Sequence, residues 1–174
     1  LAARYALPED QGPYPPTGEP RASVTLVTGL WPGEQDTADA VGTGFDLILA
    51  RNVLKHGYVH PLTDTPAWSR IDLSVEPEAY LAAVHNALVP GGLFLIYNLG
   101  GPRLSDAQYN PAADINCPWT RAQLEAAGLE VIAFDRDDSP AFRRHIPVFA
   151  WESDPAALES NWFVLYTLVR RPLE

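Results

Sequence analysis

The sequence contains one cysteine, Cys117, one lysine, Lys55, and no methionine among its 174 residues. A lone cysteine excludes an internal disulfide framework and any thiolate-rich zinc site. No window approaches about eighteen apolar residues without a charge or a proline, so no transmembrane helix is predicted. Residues 1–20 lack a basic stretch followed by an apolar core, the pattern of a secretory signal. Basic residues are also scarce: 12 against 22 acidic ones, a formal charge of -10. Such a surface repels phosphate backbones and argues against general nucleic-acid or anionic-membrane binding. With 47% hydrophobic residues the chain can build one domain with a core but not two comfortable ones. The expectation is a soluble, cytoplasmic α/β protein, and the absence of methionine even at position 1 suggests a fragment. The arginine excess over the single lysine reads as codon bias.

What is present divides the chain. Residues 1–21 hold Pro8, Pro13, Pro15, Pro16 and Pro20 with Gly12 and Gly18. Prolines fix φ and remove donors, so this stretch is expected to be an exposed connector, with a short helix at Leu1 to Tyr5 at most. Residues 22–174 are expected to form the structured domain. The β-branched run Ser23 to Thr28 predicts a strand ending at Gly29. Phe45 to Ala50 is a short apolar run of the kind buried in a sheet. Tyr80, Leu81, Val84, Ala87 and Leu88 share a helical face, opened by Pro77 and stopped by Pro90-Gly91-Gly92. Leu93 to Leu99 predicts a central strand. Thr120-Arg121-Ala122-Gln123 fits a capping box whose helix Gly128 closes. Leu129 to Phe134 and Trp162 to Val169 predict two further strands, the second after a short helix near Asp154 to Glu159. Strand, helix, strand, helix, strand, strand is an α/β domain with a mainly parallel sheet.

Four stretches in order carry a resemblance. Gly44 to His56, an aspartate-containing strand running into a short helix, is followed by the Leu88 to Ile96 helix end, Pro-Gly-Gly turn and strand. Trp119 to Val131 then supplies helix, Ala-Gly turn and strand, and Trp162 to Arg171 a final strand. Together they resemble the C-terminal half of a class I S-adenosylmethionine-dependent methyltransferase, from Ser23 to Arg171. The resemblance implies a Rossmann-like methyltransferase fold with an antiparallel final strand, transfer of a methyl group to a small-molecule acceptor, and S-adenosylmethionine as cofactor. The family's glycine-rich loop is not found. Gly42-Thr43-Gly44 precedes a strand instead of following one, so no helix N-terminus would face a ligand there. About sixteen residues separate Gly29 from Phe45, whereas two intervening strands need crossovers of roughly a dozen or more each. Ser23 to Thr28 is therefore expected to correspond to the family's third strand, with the first two strands supplied by an upstream part of the same protein. The missing loop equally motivates a non-catalytic methyltransferase-like binding or assembly domain.

Ligands of open α/β sheets sit at the carboxyl ends of strands. The resemblance then places Thr28, Gly29, Leu30 and Trp31 near the adenine, and Ala50, Arg51 and Asn52 at the methionine end of the cofactor. Arg51 would pair the carboxylate. His56 and His60 are candidate catalytic bases because imidazole titrates near neutral pH. Tyr58, Tyr97 and Asn98 are candidate acceptor contacts. Spacing also permits a two-histidine metal site with Asp64, but no metal is expected. Cys117 has no adjacent base, and Asp135, Asp137 and Asp138 look like a solvated loop cluster. Residues 28–31, 50–52 and 97–98 are expected to meet in one cleft.

Overall fold

The computed structural model describes residues 2–6, 23–65, 69–103 and 105–174. It divides into two compact units, Leu1–Gly42 and Thr43–Glu174. Of the proline-rich connector expected over residues 1–21, residues 1 and 7–21 lie outside the described residues.

In the first unit, Ala2–Ala6 (β1) is a strand, not the helical turn considered from sequence. It pairs antiparallel with Ser23–Val27 (β2), Ala3 opposite Leu26 and Tyr5 opposite Val24. The strand expected from the β-branched run is therefore present, but its hydrogen-bonded neighbour is the N-terminal segment, which propensity alone did not mark. A helix, Gln35–Val41 (α1), follows. The Glu34 carboxylate accepts hydrogen bonds from Leu30 N (2.9 Å) and Thr37 Oγ1 (3.0 Å) beside this helix start. Those donors stabilise its ionised form and hold its pKa below the usual carboxylate range.

The second unit is built on a four-stranded sheet of Phe45–Arg51 (β3), Leu88–Gly100 (β4), Glu130–Asp137 (β5) and Phe163–Arg170 (β6), in the order β3-β4-β6-β5. β3 and β4 pair in parallel, while β6 is inserted antiparallel between β4 and β5. Three strands thus share one direction and the final one opposes them, as the sequence led us to expect. The first helix of this unit is a single turn, His56–Val59 (α2), too short for periodicity to reveal. Pro77–Ala87 (α3) starts with proline at its first turn and buries Leu81, Val84 and Ala87. It ends where expected, but the following Pro90-Gly91-Gly92 lies inside the long β4. Gly91 takes φ 82 and its N–H donates to Arg171 O at 2.8 Å, a conformation that glycine permits. Arg121–Ala126 (α4) carries the full capping box: Gln123 N donates to Thr120 Oγ1 (3.3 Å) and Thr120 N to Gln123 Oε1 (2.9 Å). Ser139–Arg143 (α5) and Pro155–Asn161 (α6) precede β6.

Strand alternation places Phe94, Ile96 and Asn98 on one face of β4, with Val169 and Thr167 opposite Phe94 and Ile96 on β6, and all five are at most 2% exposed. Trp119, 1% exposed and stacked on Tyr80 at 5.5 Å, belongs to the core. On the other face, Val164 packs with Phe142 and Ile146, and Tyr97, Leu99 and Trp162 close around them. Toward the edge that face is bare: Leu47 and Leu49 of β3 are 53% and 55% exposed.

Candidate active site

The site is assembled where β3 and β4 end together. Their parallel register sets Ala50 beside Ile96 and Arg51 beside Tyr97. The chain then turns at Asn52, whose φ of 60 lies in the left-handed region that asparagine tolerates better than most residues. Asn52 N donates to Tyr97 O (3.0 Å), and Leu99 N donates to Asn52 Oδ1 (2.6 Å). The side-chain oxygen of Asn52 is thus spent on closing this corner. Ala50 is buried, whereas Arg51 is exposed beside Tyr97.

Beyond the corner, α2 is fastened to the loop before α4 by successive residues. Lys55, only 4% exposed, donates from Nζ to Leu99 O (2.6 Å) and Ala112 O (3.1 Å), with the Tyr58 ring 5.0 Å away. Burial pushes its pKa down, because the ammonium has left water. His56 N donates to Asn116 O (2.8 Å) and Gly57 N to Asp114 O (3.1 Å). A Cβ at Gly57 would overlap the Pro111 carbonyl, so helix and loop touch backbone to backbone only because glycine stands there.

Inside this contact lies a cluster of titratable side chains. His56 Nδ1 is 2.9 Å from Asp114 Oδ2, and Tyr109 Oη donates to the same oxygen at 3.2 Å. The Asp114 side chain is 5% exposed and that of His56 33%. The His60 ring lies 5.7 Å from the His56 ring, tilted by 56°. Desolvation and the neighbouring His56 push His60 below the ordinary histidine range, against a bond to the Pro118 backbone. Tyr58 lines a cavity of about 270 Å³ with Thr65, Arg70, Ile71 and Asn110.

The remaining expected residues fall into two groups. Tyr97 and Asn98 follow Ile96 at the carboxyl end of β4. The Tyr97 hydroxyl donates to Asp138 Oδ2 (2.9 Å), and burial with that carboxylate pushes its pKa up to about 12. Asn98 is 1% exposed and donates from Nδ2 to Leu54 O (2.8 Å) and Ile115 O (3.1 Å), which ties the two site loops together. Thr28, Gly29, Leu30 and Trp31 belong to the first unit, where Thr28 borders a cavity of about 580 Å³ together with Glu34 to Thr37. The second unit therefore joins residues 50–52, 97–98 and α2 around one corner.

The acidic cluster is not a solvated loop: Asp135 and Asp137 lie at the end of β5, and only Asp138 follows it. Asp135, at φ 45, accepts from Cys117 N (2.8 Å) and Asn116 Nδ2 (3.0 Å), and Asp137 accepts from Ser139 N (2.8 Å). Burial raises the Cys117 thiol to about 12, which makes it a poor nucleophile at neutral pH. Asp64 pairs with Arg70 at 2.7 Å, and no group of three His, Cys, Asp or Glu side chains among the described residues could hold a metal ion. Among the described residues no helix is long and apolar enough to cross a membrane. Sequence reasoning overlooked Asp114 and Tyr109, and it read Asp135 as a solvated loop residue where the structure makes it an acceptor for Cys117 N and Asn116 Nδ2. Asp114 is 58 positions from His56, and nothing local marks it as a partner.

No family model matches the sequence, and no curated protein matches it. Solved structures do show partial likeness. The [4+2]-cyclase SpnF is 19% identical at a TM-score of 0.40, with 76% of this chain and 52% of that chain covered. A Haemonchus contortus phosphoethanolamine N-methyltransferase 2 in complex with phosphomonomethylethanolamine and S-adenosylhomocysteine is 16% identical at 0.36, covering 74% of this chain and 33% of that one. StiE O-MT is 15% identical at 0.32, with 75% and 45% covered. The chain thus spans between a third and about half of these proteins.

Proposed function

We propose that this chain is the C-terminal half of an S-adenosylmethionine-dependent methyltransferase domain that acts on a small-molecule acceptor. The observation that carries the reading is the corner at the carboxyl ends of the parallel pair: Arg51 and Tyr97 side by side, with the His56 helix fastened just beyond. Arg51 fits the carboxylate of an amino-acid moiety, since its guanidinium is exposed and can offer a planar fork of donors. The small, buried Ala50 leaves room at the strand tip, and Asn52 fixes the corner through its own side chain. When bound, the cofactor supplies a sulfonium methyl whose carbon–sulfur bond breaks as the acceptor's new bond forms, the electron pair staying on sulfur. This chain's residues orient the two reactants, which is the larger part of catalysis in such a displacement. One of the two imidazoles, His56 or His60, takes the proton that an acceptor hydroxyl or amine must lose. The preference for a small acceptor rests on the acidic surface and the scarcity of basic side chains.

The exposed Leu47 and Leu49 motivate a second part of the proposal. A parallel pair is normally covered on both faces, and β3 is an edge strand. An upstream segment of the same polypeptide is proposed to lie against this face and continue the sheet.

Calorimetric titration with S-adenosylmethionine and S-adenosylhomocysteine tests the reading. A folded parent polypeptide carrying the upstream segment should bind both more tightly than this chain alone. Arg51→Ala should weaken binding by about tenfold, roughly 1.4 kcal/mol, as expected for one lost ion pair. A folded parent that binds neither compound refutes the proposal, and undiminished binding by Arg51→Ala refutes the assigned contact.

A further inference from the structure

We propose that Asp114 is a positioning residue that holds His56 with its proton on Nδ1 and its lone pair on Nε2, so that His56, and not His60, is the base of the site. The functional half of this inference rests on the methyl-transfer reading; the positional half does not.

Three observations converge. The Asp114 carboxylate is almost fully buried, and a carboxylate removed from water needs donors. Two reach the same oxygen: His56 Nδ1 at 2.9 Å and the Tyr109 hydroxyl at 3.2 Å. An ionised carboxylate only accepts, so the facing nitrogen must carry the hydrogen, and the other ring nitrogen is left as the acceptor. Next, the distance is fixed by backbone. His56 N–Asn116 O and Gly57 N–Asp114 O bracket the pair, and Gly57 has no room for a side chain against Pro111. The geometry therefore belongs to the loop and helix as a unit, not to two mobile side chains. Finally, the neighbouring histidine lacks these partners. The His60 ring bonds a backbone group at Pro118, and its cation is disfavoured by desolvation and by His56.

The consequence is a division of labour between His56, which opens α2, and His60, which follows it. In the step considered, the proton leaves the acceptor oxygen or nitrogen for His56 Nε2 and passes to solvent after the product departs. The imidazolium formed meanwhile is stabilised by the adjacent Asp114 carboxylate. Tyr109 keeps that carboxylate in place and takes no proton.

Long-range proton–nitrogen NMR of the histidine side chains in the intact chain tests this, with His56→Gln used to assign the signals. The chain should show His56 protonated at Nδ1 and bare at Nε2 when the ring is neutral. Asp114→Asn should lose that pattern, and Asp114→Glu should restore it at least in part. Gly57→Ala should also lose it, although the carboxylate remains, because α2 is pushed off the loop. Finding the opposite tautomer in the unaltered chain overturns the proposal whether or not any variant folds. So does a folded Asp114→Asn with an unchanged pattern. If the expected tautomer is found but the parent polypeptide binds no S-adenosylmethionine, the methyl-transfer reading fails and Asp114 keeps its place as the residue that orients His56.

Discussion

Replacing Asp135 is predicted to cost far more than its place in a polar, acidic run suggests. Its carboxylate receives Cys117 N at 2.8 Å, Asn116 Nδ2 at 3.0 Å and, more weakly, Thr167 Oγ1 at 3.4 Å. Cys117 is 5% exposed, so in Asp135→Ala its N–H has little chance of reaching water. A hydrogen bond to a charged group contributes about 1.5–3 kcal/mol, and an orphaned buried donor costs about 1–3 kcal/mol. Counting the Cys117 bond in full and the Asn116 bond in part gives a loss of about 3–4 kcal/mol. Two controls divide that figure. Asp135→Asn keeps one acceptor oxygen for Cys117 and should lose about 1–2 kcal/mol. Asp135→Gly loses the same bonds as alanine but relieves the left-handed φ of 45, so it should be about 1 kcal/mol more stable than Asp135→Ala. Urea unfolding followed by tryptophan fluorescence measures this, with an unchanged m-value as the sign that only stability moved. A total domain stability of about 5–15 kcal/mol makes the alanine loss easy to see. If Asp135→Ala stays within about 1 kcal/mol of the parent, the carboxylate is solvated after all. Because Asn116 O also receives His56 N at 2.8 Å, the same variant should loosen α2.

Two more predictions concern the site and the core. Asn52→Gly keeps the left-handed corner and loses the Leu99 N bond, whereas Asn52→Ala loses both; alanine should be the less stable by about 1 kcal/mol in the same urea assay, and equal losses would show that the corner is unstrained. Raised thresholds for Cys117 and Tyr80, both about 12, mean that each stabilises the fold below its unfolded value and loses that contribution as pH climbs from 9 or 10 toward 12. The depressed Lys55 works the other way, since its penalty is relieved as pH rises toward 10.5. Cys117→Ala should therefore flatten the alkaline loss of stability between pH 9 and 12, by an amount of order 1–4 kcal/mol; an unchanged slope in equilibrium unfolding across that range refutes the assignment.

The parts of the fold that sequence foretold are those whose causes are local. A capping box needs two residues three apart, and Thr120 with Gln123 formed it. The helical face of α3 needs apolar residues at fixed spacing, and Leu81, Val84 and Ala87 are the ones that became buried. Pairing partners are different, because a strand's propensity does not say which edge it will meet. The Ser23–Val27 segment was recognised as a strand, yet its partner, Ala2–Ala6, has alanine and arginine where β-branched residues would have signalled it.

The site divides along the same line. His56, Tyr58 and His60 stood out because they are dense in chemistry over a few positions. What makes their arrangement specific is contributed from a distance: Asp114 and Tyr109 by the loop before α4, and Asn98 from inside the sheet. Asn98 shows how position and role separate. Its place at a strand end suggested contact with a ligand, but at 1% exposure its amide instead ties the Leu54 and Ile115 carbonyls together. A buried polar side chain is held by what it must satisfy, so its partners reveal its task better than its distance from a strand tip. By that criterion Lys55 and Asn98 are braces for the α2–loop contact. Arg51 differs from them: it is exposed and forms no ion pair among the described residues, so it can still offer its charge to something outside the chain. The braces hold α2 in place, and Arg51 stays exposed at this corner, where a ligand can reach it.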